Sequence, residues 1–141
     1  KVLWRISRHS KIAIVSNKPS DQLDERIGQS SLNPKIFSYI FGEQSTRYKK
    51  PDSRVFDEVL FSLRKHYIRK QDILYVGDLT VDYFAARGAG IDFCAVLSGF
   101  HSRQKFAGVG LDSQHMIPSV KDLPEWLMRH HYLKRAHGRG Y

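Results

Sequence analysis

The sequence predicts an α/β domain of three layers, built on a mostly parallel sheet. Two observations carry that prediction. Short apolar runs rich in β-formers lie at residues 11–16, 73–76 and 93–97, too short for globular helices. Between them the apolar spacing lengthens to that of a helix, most clearly at Val55, Phe56, Val59, Leu60 and Leu63. Strands that alternate with helices in this way form crossover units and a doubly wound parallel sheet.

Taken in order, Val2, Leu3 and Ile6 read as the end of a helix. Residues 11–16 form a buried strand that Asn17-Lys18-Pro19 ends. Ser20 or Asp21 can cap a helix running to about Ile27, with Gly28 as its stop. Asn33-Pro34 marks a loop, and residues 37–41 a strand closed by Gly42. After a polar loop over 43–50, Pro51 suits the first turn of a helix and Asp52 adds negative charge where the helix dipole favours it. That helix runs to about His66. The strand at 73–76 breaks at Gly77, and a helix through Phe84, Ala85 and Ala86 closes with Gly88 and Gly90. Residues 93–97 form another buried strand, closed by Ser98-Gly99. Residues 100–110 read as a loop or short helix, 115–117 as a short edge strand, and Leu123, Trp126, Leu127 and His130 as a closing amphipathic helix. The core domain is expected over residues 1–131, with 132–141 a flexible basic tail and no second domain or internal repeat.

Composition excludes several classes. At 141 residues, 41% hydrophobic and 26% charged, the chain is one ordinary globular domain with room for a real core. No apolar run approaches a membrane span and no signal-peptide pattern opens the chain. The single Cys94 excludes an internal disulfide framework and fits a reducing, cytoplasmic compartment. It lies in an apolar run and reads as a small buried hydrophobe. The net charge of +9 calls for a nucleic-acid reading to be weighed. The basic residues are dispersed, however, without an aromatic-interleaved stripe or a helix-turn-helix signal, so no nucleic-acid partner is expected. The excess positive charge would help attract an anionic substrate.

The chemistry-bearing residues gather around strand ends. Asp78 follows the 73–76 strand at its carboxyl end, where open α/β sheets bind ligands, and Asp82 lies one helical turn further on the same side. Two carboxylates with oxygen-only chemistry suit Mg²⁺ better than zinc. Taken singly, each residue has a plainer reading: Asp78 as a helix cap, Ser16-Asn17 as a turn, Lys50 as a solvated lysine, Asp82 as a capping or pairing group.

Their order reverses those readings. A strand ending in Ser16-Asn17, then Lys50-Pro51 at a helix start, then Val76-Gly77-Asp78 through Asp82, Ala85-Ala86 and Ala89-Gly90 resembles the haloacid dehalogenase-like (HAD) phosphohydrolases, the phosphoglycolate-phosphatase-like branch in particular. Gly99, after the next strand, also falls where that family places a glycine. The resemblance spans about residues 1–131 and implies a Rossmann-like core and a Mg²⁺-dependent phosphatase of a small phosphorylated metabolite acting through an aspartyl-phosphate. It implies that Ser16, Asn17 and Lys50 bind the phosphoryl group, with Lys50 standing exposed to the site, and that Asp78 and Asp82 hold or orient Mg²⁺. Leu79 departs from the Ser or Thr common after Gly-Asp, and Ser53 replaces a frequent second proline.

One departure is larger. The family's nucleophile comes from an Asp-x-Asp motif on a central strand lying between those that here carry Ser16 and Asp78, and no Asp-x-Asp occurs in this chain. The expectation is therefore the carboxyl-terminal part of a longer enzyme, with nucleophile strand and cap upstream of Lys1 and no turnover by these residues alone. The alternative is a non-catalytic, degenerate HAD-fold binding module with an acidic or nucleic-acid partner. A third reading keeps the fold with dehalogenase or phosphomutase chemistry. The empty central position would be filled either by its neighbours closing up or by another chain.

Overall fold

The computed structural model describes residues 1–132. Eleven regular elements follow in the order α1 (Val2–Ser7), β1 (Ile12–Val15), α2 (Ser20–Gln29), β2 (Phe37–Phe41), α3 (Asp57–Arg64), β3 (Leu74–Gly77), α4 (Thr80–Ala89), β4 (Asp92–Val96), α5 (Arg103–Gly108), β5 (Met116–Ile117) and α6 (Leu123–Arg129). The expected strands and helices all form, and every strand pairing is parallel. The expected tail falls at 132–141; its residues 133–141 lie outside the described residues. Tyr132 donates its hydroxyl to Asp92 Oδ2 at 2.7 Å.

Local chemistry shifts three boundaries. Gly28 lies inside α2 and does not stop it; Ser30 caps the end, its hydroxyl donating to Ile27 O at 2.6 Å. Gly88 likewise lies within α4, and the cap falls to Gly90, whose φ of 75° is the left-handed conformation that glycine adopts without penalty. Pro51 sits in a turn rather than a helix: Asp52 accepts the N–H of Arg54, a 3₁₀ turn follows over Ser53–Phe56, and α3 begins only at Asp57.

The strands divide into two sheets, β1-β2 and β3-β4-β5, rather than one. Helices cover both faces. On one side Val55, Phe56, Val59, Leu60 and Leu63 pack with Ala85, Ala86 and Ala89 of α4 and with Phe93 and Phe106. On the other, Ile6 of α1 packs with Leu123, Trp126 and Leu127 of α6 against Cys94 and Ile117. Trp126 is fully buried, and its indole N–H donates to Gln114 O at 2.8 Å. β1 and β3 are not paired with one another. Between β1 and β3 lies a cavity of about 780 Å³ lined by both strands and both helix layers.

Candidate active site

The loops after β1 and β3 meet at one place, joined by Lys50. Asn17, just past β1, holds the Lys50 backbone from both ends of its amide: its Oδ1 accepts the Lys50 N–H at 3.0 Å and its Nδ2 donates to Lys50 O at 3.4 Å. Asn17 therefore acts on Lys50, and its side chain is engaged there. Ser16 Oγ accepts the N–H of Lys18 at 3.1 Å, a turn that leaves the hydroxyl proton free to donate outward.

Lys50 then reaches inward. Its Nζ donates to Asp82 Oδ1 at 2.6 Å and to the Tyr75 hydroxyl at 2.9 Å. The pair is enclosed, with side chains 11% and 4% exposed, which rules out the plainer reading of Lys50 as a solvated lysine. Desolvation alone would lower the Lys50 pKa, but Tyr75 and the bonded Asp82 carboxylate outweigh it and hold the ammonium above its ordinary value. Burial likewise pushes the Tyr75 phenol up, against the opposing pull of Lys50. Tyr75 completes a chain by donating to Val15 O at 2.8 Å, so that one phenol ties β3 to β1. Sequence reasoning missed Tyr75; the only available signal was one hydroxyl in an otherwise aliphatic strand.

The two aspartates take different places. Asp82 is 3% exposed and spends Oδ1 on Lys50 and Oδ2 on the N–H of Leu79, closing the first turn of α4. Asp78 faces the loop after β4, where its Oδ2 accepts the N–H of Phe100 at 3.0 Å and its carbonyl accepts the N–H of His101 at 3.0 Å. His101 in turn accepts the Thr80 N–H on Nδ1 at 2.9 Å, fastening that loop to the start of α4. His101 and Phe100 were also missed, because nothing in sequence places residue 101 beside residue 78. Two glycines make these approaches possible. A Cβ on Gly77 would sit 2.5 Å from Asp82 Oδ2, and one on Gly99 would collide with the Asp78 carboxylate.

For a metal, the donors in hand are hard oxygens. Asp78 keeps Oδ1 available, which fits one position of the oxygen shell that Mg²⁺ prefers. Each Asp82 oxygen already accepts one hydrogen bond, Oδ1 from Lys50 and Oδ2 from the N–H of Leu79. Among the described residues no group of three acidic, histidine or cysteine side chains forms a metal cluster.

Fold and site together define a class: a three-layer parallel α/β domain with its polar side chains gathered at the strands' carboxyl ends. The chain belongs to the haloacid dehalogenase-like hydrolase family, whose family model matches residues 2–96. It is 27% identical over 104 residues to phosphoglycolate phosphatase 1 of Pseudomonas aeruginosa, covering 74% of this chain and 37% of that protein. The chain thus spans well under half the length of that relative. Among solved structures, a predicted phosphoglycolate phosphatase from Haemophilus somnus superposes with a TM-score of 0.72 at 24% identity, covering 88% of this chain and 53% of that one. The L-2-haloacid dehalogenase of Xanthobacter autotrophicus superposes at 0.69 with 20% identity, over 91% and 58%. At these identities the likeness to solved structures shows the fold alone.

Proposed function

We propose that the protein to which these residues belong is a Mg²⁺-dependent phosphatase of a small phosphomonoester, acting through an aspartyl-phosphate whose nucleophile lies on a segment outside this chain. The observation that carries this reading is the buried Lys50, fixed at the carboxyl ends of β1 and β3 by Asp82, Tyr75 and Asn17. A phosphoryl group and an attacking carboxylate are both negative, and a rigid, desolvated ammonium stabilises them as they approach. The Ser16 hydroxyl is free to donate to a phosphoryl oxygen, and Asp78 Oδ1 to take the metal. Bound Mg²⁺ would offset charge on the phosphoryl oxygens. Asp82 acts through Lys50 and the α4 start rather than on the metal. Phosphoglycolate is the first substrate to try, because relatives carry that name.

The test is phosphate release by the full-length protein from phosphoglycolate and a panel of small phosphomonoesters, with Mg²⁺ and with a chelator. Release that needs Mg²⁺ and falls by about 10²–10³-fold in Lys50→Met is expected. No release from any substrate would overturn the reading; release untouched by the chelator would overturn its metal part. Asp78→Asn should keep the Phe100 bond and lose Mg²⁺ activation.

A further inference from the structure

The loop that follows β4 grips Asp78 at two atoms. The Phe100 N–H donates to Asp78 Oδ2 and the His101 N–H to Asp78 O, both at 3.0 Å. The His101 side chain closes the circuit: its Nδ1 accepts the N–H of Thr80, the first residue of α4, at 2.9 Å. Thr80 is buried, and its N–H is one of the donors that a helix start leaves without an intrahelical partner. Among the described residues, His101 thus supplies the side-chain hydrogen bond that joins this loop to α4.

The imidazole is itself held from behind. It packs edge-on against the fully buried Phe106, with 6.1 Å between centroids and 71° between planes. Ser102 fixes the far end of the loop by capping α5, its Oγ accepting the N–H of Lys105 at 3.2 Å. Residues 99–102 therefore bridge α4 and α5, with Asp78 beneath them. Such a bridge decides which oxygen Asp78 presents. While the Phe100 N–H holds Oδ2, the carboxylate is not free to turn about its Cβ–Cγ bond, and Oδ1 is the oxygen left available. The Phe100 ring is 78% exposed, so this hold depends on where the backbone is placed rather than on the ring.

We propose that His101 is a positioning residue: by accepting the Thr80 N–H it fixes the loop after β4 so that the Phe100 N–H occupies Asp78 Oδ2 and Oδ1 is the atom presented to a divalent cation. The cation half rests on the phosphatase reading; the hold on Asp78 does not. Partners that orient a carboxylate ligand without touching the metal change metal affinity by about 10–100-fold when they are removed.

Three variants of the full-length protein test this. His101→Phe keeps a ring against Phe106 and removes the acceptor. His101→Asn keeps an acceptor, since its Oδ1 stands as far along the side chain as Nδ1. Thr80→Pro removes the donor instead, at a first helical position that accepts proline, after a Leu79 already extended at φ −121° and ψ 147°. Amide hydrogen exchange at Phe100 reads the hold on Asp78, and calorimetric titration with magnesium chloride alone reads the cation. His101→Phe and Thr80→Pro should each speed Phe100 exchange and weaken Mg²⁺ binding about tenfold or more, whereas His101→Asn should stay close to wild type. The His101→Phe, Thr80→Pro double variant should lose no more than either single one, because both remove the same bond. Unchanged Phe100 exchange in His101→Phe, or equal loss in His101→Phe and His101→Asn, would overturn the proposal. Faster exchange with unchanged Mg²⁺ affinity would overturn its cation half. A wild-type protein that binds no Mg²⁺ would refute the metal part of the phosphatase reading, and the hold on Asp78 would stand or fall on Phe100 exchange.

Discussion

Lys50 Nζ and Asp82 Oδ1 lie 2.6 Å apart in a setting that leaves neither side chain more than 11% exposed. Thirty-two residues separate them in sequence, yet each is the other's principal counter-charge. Asp82 organises the start of α4, Lys50 organises the loops after β1 and β3, and the ion pair makes the two a single unit.

Breaking that unit from one side strands a charge. Lys50→Met and Asp82→Leu should each cost roughly 3–5 kcal/mol, because the survivor stays buried without its counter-charge. The double variant should cost clearly less than the sum. Urea unfolding midpoints of the four proteins make the cycle, and additivity of the two losses would refute the coupling.

Alkaline pH should weaken the fold from the same place. Lys50 and Tyr75 are both raised above their ordinary values in the folded state, Lys50 because its partners outweigh burial and Tyr75 through burial. A group with a raised folded pKa contributes stability fully below its unfolded value and loses it as pH rises through the folded one. The contribution is therefore present at neutral pH and declines above about 10, the unfolded range of tyrosine and lysine. Melting temperatures across that range should fall less steeply in Tyr75→Phe; an identical slope would exclude Tyr75 as a source.

Two glycine substitutions should move in opposite directions. Gly77→Ala puts a methyl against Asp82 and should destabilise by about 1–3 kcal/mol, the range for overpacking. Gly28→Ala meets nothing within 4 Å, sits inside α2, and should stabilise by about 0.5–1 kcal/mol. Thermal melts of both decide it, and a shift of the same sign in both would contradict the packing.

Cys94 is fully buried, and burial pushes its thiol up to about 12. A thiol-directed reagent should label native protein only as fast as it unfolds, so labelling should track denaturant. Rapid labelling without denaturant would show that α1 and α6 do not close over β4.

Much of the fold was legible in the chain. Periodicity alone placed the strands at 11–16, 37–41, 73–76 and 93–97 and the α3 helix, because apolar spacing is a local property that burial on a sheet or a helix face enforces directly. The order of Ser16-Asn17, Lys50-Pro51 and Gly77-Asp78 placed three loops at or beside strand ends, and the family match spans all three. Helix ends were read less well. Gly28 and Gly88 look like stops in sequence, but only Gly90 adopts the left-handed conformation that makes glycine a stop.

What the tertiary structure alone decided is how those residues divide their work. From sequence, Asp78 and Asp82 are a pair one helical turn apart and Lys50 is a cation facing the site. Folding instead gives Asp82 to Lys50, gives Asp78 to the Phe100 loop, and inserts Tyr75 between Lys50 and Val15. Spacing along a chain fixes which side chains share a face, whereas partner choice between distant segments depends on burial, which makes an unpaired charge or backbone group too costly to leave alone.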